Sequence, residues 1–396
     1  MTLLPVAAAQ ARVLALGRAV DSVEVPLHEA LGRWATAAVV ARRTQPASDL
    51  SAMDGYALRF ADLSSPFHVI GESAAGAPFA GTVAAGQAVR IFTGAAMPAG
   101  ADTVLVQEEA ARDGAILTLA GEGPAHAGRN VRPRGLDFAC GDILVAPGER
   151  LTPARLAVAA TGGVARIAVA RPVRVALAAT GDELVEPGTA SPLTADDALP
   201  ESNRLLLRAL LADLGVEIVD LGILPDRLDR LTHAFATVDA DVLVTTGGAS
   251  VGDHDLVRPA LAAAGATLDF WRIALRPGKP MLAGRRGDMA VVGLPGNPVS
   301  AFVTALLFVR PLVAHLAGAA QPFPPVSRAL LGEDLPANGE RTDYLRAELR
   351  DGRAFASTIQ DSSMLRTLAR STCLIVREPH APTARAGDSA EILMIA

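Results

Sequence analysis

The sequence predicts a multidomain protein in which a central α/β unit is flanked by β-rich and helical segments. Three observations predict it. Strand-like and helix-like runs alternate over residues 173–317, the pattern of a parallel sheet with helices on both faces. Residues 46–140 are dense in Gly and Pro and carry short β-like runs with little helical periodicity. The length, 396 residues, exceeds what one hydrophobic core organises, so two to four domains are expected.

In the central unit, residues 173–178 read as a buried strand. Ser202 reads as the N-cap of a helix carrying Leu205, Leu206, Leu210, Leu211 and Leu214 at helical spacing, with Gly215 at its C-cap. Further strands are expected at 216–221, 241–245, 267–273 and 289–293. Helices are expected at 227–238, 256–264 and 298–316, the last with Pro298 in its first turn. Residues 1–45 and 141–172 are Ala/Leu-rich and more helical, and are expected to pair with each other across the β-rich insertion. Residues 318–396 open with the stiff linker Pro322-Phe323-Pro324-Pro325 and continue as short alternating stretches, a small β-barrel or sandwich.

Composition excludes several classes. The net charge is −6 with no basic block, and there are only two Trp and two Tyr. A phosphate-neutralising surface or a base-stacking platform is therefore not expected, and nucleic acid is not a partner. No uninterrupted apolar run reaches the roughly 18–20 residues that span a bilayer; the longest, 299–314, is broken by Arg310 and Pro311. The N-terminus lacks a signal-peptide pattern. Cys140 and Cys373 lie too far apart to suggest a disulfide framework or a zinc site, so reduced thiols and a cytoplasmic protein are expected.

The candidate chemistry collects in loops that follow the strands of the central unit. These are 180–184 with Glu183, 246–255 with Gly247, Gly248, Ser250, Gly252, Asp253, His254 and Asp255, and 293–298 with Pro295 and Asn297. Ligands of open parallel sheets bind beyond the carboxyl ends of the strands. Bare glycine backbone can present N–H groups to an anion, although a plain tight turn reads the same way. Pro295 and Asn297 form a good turn, with Asn297 placed to cap the next helix. Glu183, Asp253 and Asp255 are candidate Mg²⁺ ligands, since a hard cation takes carboxylates at a phosphate site. His254 reads as a rim residue. The chain's single lysine, Lys279, among 36 Lys+Arg residues, sits in a Pro-Gly turn, and a compact ammonium there suits an anionic ligand. In the insertion, Asp54 lies beside Gly55 and Tyr56, with Thr93, Glu108, Glu109, Arg132 and Arg134 nearby in motif-like clusters. Turn-rich strand edges explain those clusters equally well. Nucleophile-elbow, HExxH, P-loop and GxGxxG patterns are absent from the sequence.

Seven motifs occur in order: SAMDGYA (51–57), FTGAAMPAGADTVLVQEE (92–109), GRNVRPRGLDF (128–138), TGDELVEPG (180–188), TTGGASVGDHD (245–255), RPGKP (276–280) and GLPGNPVSAF (293–302). Together they resemble, over essentially the full length, the molybdopterin molybdenumtransferase family, to which the E domain of gephyrin is related. The resemblance implies a discontinuous helical unit of 1–45 with 141–172, a β-rich inserted domain at 46–140, a three-layer α/β/α molybdopterin-binding-like domain at 173–317, and a C-terminal β-barrel at 318–396. It implies a homodimer that inserts molybdate into adenylated molybdopterin with Mg²⁺ and releases AMP. By motif it carries catalytic roles to Asp54, Thr93, Glu183, Asp226, Asp255 and Lys279, with Glu183 and Asp255 on the metal. Gly247, Gly248, Ser250, Gly252, Arg276, Gly278, Pro295, Asn297 and Ser300 are expected around the cofactor. The adenylyltransferase that supplies the substrate and enzymes that accept the cofactor are possible partners. Arg276 stands where the family often has a second lysine, and Leu136 where it has an acid before Asp137. A gephyrin-like scaffold is the competing reading, though the acidic set favours an enzyme. Tungstate, nearly equal to molybdate in size and charge, fits the same site.

Overall fold

The computed structural model describes residues 3–64, 66–188, 199–247 and 256–395, with the side chains of 269–271 left out of the description. Its centre is a six-stranded sheet in the spatial order Val216–Leu224, Val173–Thr180, Val242–Thr246, Met289–Leu294, Pro280–Arg286 and Thr267–Arg272. The first four strands are mutually parallel. Pro280–Arg286 runs antiparallel to both of its neighbours.

The all-parallel expectation is therefore corrected to a mixed sheet with one more strand. The reason is local. Arg286 pairs with Met289 across the two residues Gly287 and Asp288, and Gly287 has φ 59°. A two-residue Gly-Asp connection between apolar runs is a hairpin signal.

Period-2 alternation divides the core between the two faces of the sheet. Val175, Leu177, Val242, Val244, Met281 and Val292 pack on one side. Ala176, Ala178, Leu243, Leu282 and Val291 pack on the other. The first face is covered by helices Val6–Leu14, Asn203–Leu211 and the long helix 298–316, the second by Leu228–Thr237 and Val257–Ala263. Each fully buried Val, Leu or Phe contributes roughly 1.5–3 kcal/mol of transfer free energy.

The long helix is not broken at Arg310 and Pro311. It runs from Pro298–Thr304 through the π turn Ala305–Val309 into Arg310–Leu316. Proline lacks the N–H that would reach Leu307 O one turn back, and Gln10 Nε2 donates to that carbonyl instead, at 3.1 Å. The helix spans the residues expected of it, 298–316, and at 19 residues it is long and apolar enough, by length and composition, to cross a membrane although Arg310 and Pro311 interrupt its apolar run. It is, however, 83% buried inside the protein, as a core helix is.

Helix Asn203–Leu211 starts where expected but is capped differently. Ser202 makes no side-chain capping bond. Glu201 Oε1 accepts from Asn203 N (2.6 Å) and Arg204 N (3.0 Å) instead. The buried stripe begins with Asn203 and Arg204 and continues through Leu207 and Leu211, which leaves Leu205 67% exposed. Gly215, with φ 66°, ends the turn that follows.

The flanking segments supply helices Val6–Leu14 and Pro153–Thr161 and meet through strands. Ser22–Pro26 pairs antiparallel with Arg166–Ala170, and Val39–Val40 with Ile143–Val145. Between them lies a second six-stranded sheet, ordered Thr103–Val106, Gly55–Leu58, Gln87–Ile91, Phe67–Ser73, Ile116–Leu119 and Ala110–Asp113. Near the C-terminus, Thr342–Arg350, Arg353–Ala356, Val326–Leu331, Ser389–Met394 and Cys373–Arg377 close into a five-stranded barrel through the pairing of the first with the last. The short strand Leu275–Arg276, which belongs in sequence to the α/β unit, adds to this barrel beside Thr342 and Asp343.

Candidate active site

The site is built at one edge of the central sheet. Thr180, Leu224, Thr246 and Leu294 end the four parallel strands within one residue of each other in register. Because Pro280–Arg286 runs the opposite way, its first residue, Pro280, falls at that same edge, bringing Lys279 with it. The loops holding Glu183, Asp226, Gly247, Lys279 and Asn297 therefore share one rim. The sheet order reverses between Val173–Thr180 and Val242–Thr246, the switch point at which open α/β sheets form their crevice.

Backbone meets backbone at that switch point. Gly247 has φ 87°, and a Cβ there would lie 2.5 Å from Thr180 O. A Cβ on Gly296 would lie 3.6 Å from Gly247 Cα. Gly181, with φ 149°, has the Glu183 carboxylate above it; a Cβ would come within 2.6 Å of Glu183 Oε2. At Gly181 and Gly247 the positive φ and the close approach favour glycine.

Acidic groups gather on one side of the crevice. Asp226 N donates to Asp182 Oδ1 at 3.0 Å. Burial, and then the charges of Asp182 and Glu183, raise the pKa of Asp226 above its ordinary value. Such crowding of like charge suits a cation, although no group of three His, Cys, Asp or Glu side chains forms a metal cage among the described residues. Gly248, Ser250, Gly252, Asp253, His254 and Asp255 lie outside the described residues.

On the other side, Lys279 is exposed in a cleft of about 320 Å³ shared with Arg276, Asn338, Arg341 and Asp343. Arg276 is ion-paired with the buried Asp343 of the barrel. Gly278 has φ 106° and packs on the long helix, where a Cβ would meet Thr304 Cγ2 at 2.5 Å and Ser300 O at 3.6 Å. Ser300 itself is buried, and its carbonyl accepts from Thr304 Oγ1 at 2.6 Å. Asn297 makes no side-chain cap bond to its own helix. It donates through Nδ2 to Ser362 Oγ (3.0 Å), while Val299 N donates to Ser362 O (3.1 Å). The barrel loop thus supplies the cap expected of Asn297.

Asp54 and Thr93 form a separate cluster in the inserted sheet. Asp54 Oδ1 accepts from Thr93 N (2.7 Å) and Thr93 Oγ1 (2.8 Å). These bonds, aided by Arg90, hold the Asp54 carboxyl below the usual range. Arg90 stacks over Tyr56 and Phe92 and donates to Gly55 O and Gln107 Oε1. The hydrogen bonds of Asp54 and Thr93 stay within the insertion.

Sequence reasoning missed Asn203, Ser362 and Asp343. Asn203 Nδ2 donates to Gly296 O at 2.8 Å. Its position three residues before Leu206 in an apolar helix carries no polar signal of its own.

Comparisons with known proteins extend over most of the chain. The chain matches family models described as the MoeA N-terminal region, domains I and II (residues 4–163), a probable molybdopterin binding domain (176–315) and the MoeA C-terminal region, domain IV (328–395). It is 36% identical over 378 residues to a molybdopterin molybdenumtransferase of Haemophilus influenzae, covering 92% of each chain. It is 30% identical to one of Staphylococcus aureus, covering 99% of this chain and 95% of that one. A crystal structure of the molybdopterin biosynthesis MoeA protein from Pyrococcus horikoshii superposes with a TM-score of 0.85 at 27% identity over the full length of both chains. A four-part architecture with this α/β crevice, matched end to end by such relatives, belongs to a transferase of molybdenum-cofactor biosynthesis, and the chain is a member of the molybdopterin molybdenumtransferase family.

Proposed function

We propose that this protein inserts molybdate into adenylated molybdopterin and releases AMP, with Mg²⁺. The observation that carries the reading is that the acidic group and the glycine floor at the switch point share one edge of the central sheet with Lys279, which stands two strands further along it. Cleaving a phosphate anhydride demands charge neutralisation and orientation more than covalent catalysis. Lys279 offers a compact cation to a phosphate or to molybdate. The backbone of Gly247, with Gly248, Ser250 and Gly252, is proposed to line the anion.

The donor set fits Mg²⁺. This ion keeps several waters and takes one or two protein carboxylates together with substrate phosphates. A closed protein cage is then not required, and Glu183 and Asp255 are the proposed ligands. Bound there, the ion would neutralise the developing phosphate charge. Asp226 and Asp182 hold negative charge beside it. Asp54 and Thr93 act from the insertion, where a depressed carboxyl pKa keeps Asp54 ionised.

We propose a homodimer in which one subunit's insertion covers the other's crevice. A groove of about 1110 Å³, lined in part by Leu206, Leu210, Phe302, Leu306, Leu365 and Met394, offers an apolar face to a second copy, apart from both the insertion and the crevice rim. Two free cysteines, Cys140 and Cys373, support a reducing, cytoplasmic setting. The test is AMP release from adenylated molybdopterin on addition of molybdate and Mg²⁺. Substrate that stays intact would refute the reading.

A further inference from the structure

Asn203 is the first residue of helix Asn203–Leu211 and is 8% exposed. Its backbone N–H is held by Glu201. Its side chain reaches across 93 positions of sequence to the Gly296 carbonyl, 2.8 Å away. Only an amide nitrogen can donate to a carbonyl, so this bond fixes which end of the amide faces the loop. The other end, Oδ1, is buried and has no hydrogen-bond partner among the described residues.

A buried amide serving the fold alone would satisfy both ends, because an orphaned acceptor costs about 1–3 kcal/mol. The bond that is made lies at a functional place. Gly296 faces Gly247, and Gly247 packs on Thr180, whose carbonyl and hydroxyl oxygens lie nearest to it. The 294–297 loop thus faces Gly247 through a glycine, which offers no side chain to hold it there. Asn203 is the side chain that hydrogen-bonds to Gly296 O.

We propose that Asn203 is a positioning residue of the crevice: by holding Gly296 O it fixes the 294–297 loop against Gly247 in the geometry that admits the substrate. This inference rests on the function proposed above. It gives Asn203 no contact with the reacting atoms.

The test uses the full-length protein and steady-state kinetics with adenylated molybdopterin as the varied substrate. Asn203→Asp keeps size and shape but, ionised, sets oxygen against the Gly296 oxygen. Asn203→Ala removes the bond without burying a charge, and keeps the test open if the aspartate variant does not fold. The KM should rise about ten-fold, the worth of one buried hydrogen bond, while kcat stays within about three-fold. A purely structural role would lower the thermal midpoint and the amount of active protein but leave KM where it was. An unchanged KM in a folded variant, with an active wild type, overturns the inference alone. A wild type that forms no cofactor overturns the functional reading and this inference with it.

Discussion

Asp213→Ala should loosen the junction between the α/β unit and the flanking segment by a predictable and pH-dependent amount. Asp213 lies within the turn after helix Asn203–Leu211 and holds two arginines. Arg310 of the long helix donates to both carboxylate oxygens at 2.6 and 2.7 Å, and Arg150 donates to Oδ2 at 3.0 Å. The bonds and charge of Arg310, then those of Arg150, hold the Asp213 carboxyl at a pKa of about 2, below the usual 3.8. A fall of that size corresponds to a ceiling of roughly 2.5 kcal/mol. The side chain is 49% exposed, so solvent screening reduces the expected contribution to about 1 kcal/mol. No stranded charge adds to it, because Arg310 keeps Leu210 O and Arg150 keeps Gly32 O. The thermal midpoint should fall by about 2–4 °C at neutral pH. Because the folded pKa is depressed, the contribution is complete above about pH 4 and is lost as pH falls through about 2. Thermal melts of both proteins across that range should show the gap closing on acidification. A gap that stays constant down to pH 2, or that is absent at pH 7, would refute the electrostatic account.

Other expectations concern the site. Lys279→Arg keeps the charge but loses the compact ammonium, so turnover should fall about ten-fold or more with the thermal midpoint unchanged; a normal rate would make Lys279 a solvated loop residue. Glu183→Gln should weaken the Mg²⁺ dependence of AMP release while leaving apo stability within about 0.5 kcal/mol, and if Mg²⁺ has no effect on either protein the metal assignment falls. In a purified mixed dimer of Asp54→Ala with Lys279→Ala, one of two shared sites would be wholly wild type, giving roughly half of wild-type activity. Activity no higher than that of either mutant homodimer would place Asp54 in its own subunit's site or outside it.

What was legible in the sequence follows what each interaction depends on. Strands such as Val173–Thr180 and Met289–Leu294 declare themselves because they are buried on both faces and so read as unbroken apolar runs. Pro280–Arg286 did not, because Lys279 and Pro280 read as the end of a turn and Arg285-Arg286 as surface. The six-residue apolar repeat beyond Gly287-Asp288 was the available clue. Caps were misread where the partner is distant or unconventional. Glu201 outcompetes Ser202 at helix Asn203–Leu211, and Ser362, 65 residues away, serves the helix that Asn297 was expected to cap. The rim residues Glu183, Asp226, Gly247 and Lys279 were identified from motifs, while the arrival of Lys279 at the edge shared by the others depended on the antiparallel strand. Asn203 escaped because its importance lies in a contact with Gly296 that no local pattern encodes.

The short strand Leu275–Arg276 hydrogen-bonds into the barrel, and four residues after Arg276 the chain has already entered the central sheet at Pro280. Between them stands Lys279. The two sheets thus share one stretch of backbone as a common seam, reinforced by the Arg276–Asp343 pair and by Ser362 at the head of the long helix. The consequence is cooperativity. A chain cut before Val326 would keep every strand of the central sheet and every residue of its rim, yet would lose Thr342, Asp343 and Ser362, the anchors of the Lys279 and Asn297 loops. The barrel, which contributes none of the acidic rim residues, is in this respect part of what assembles the site, and its melting and the loss of activity should be a single event.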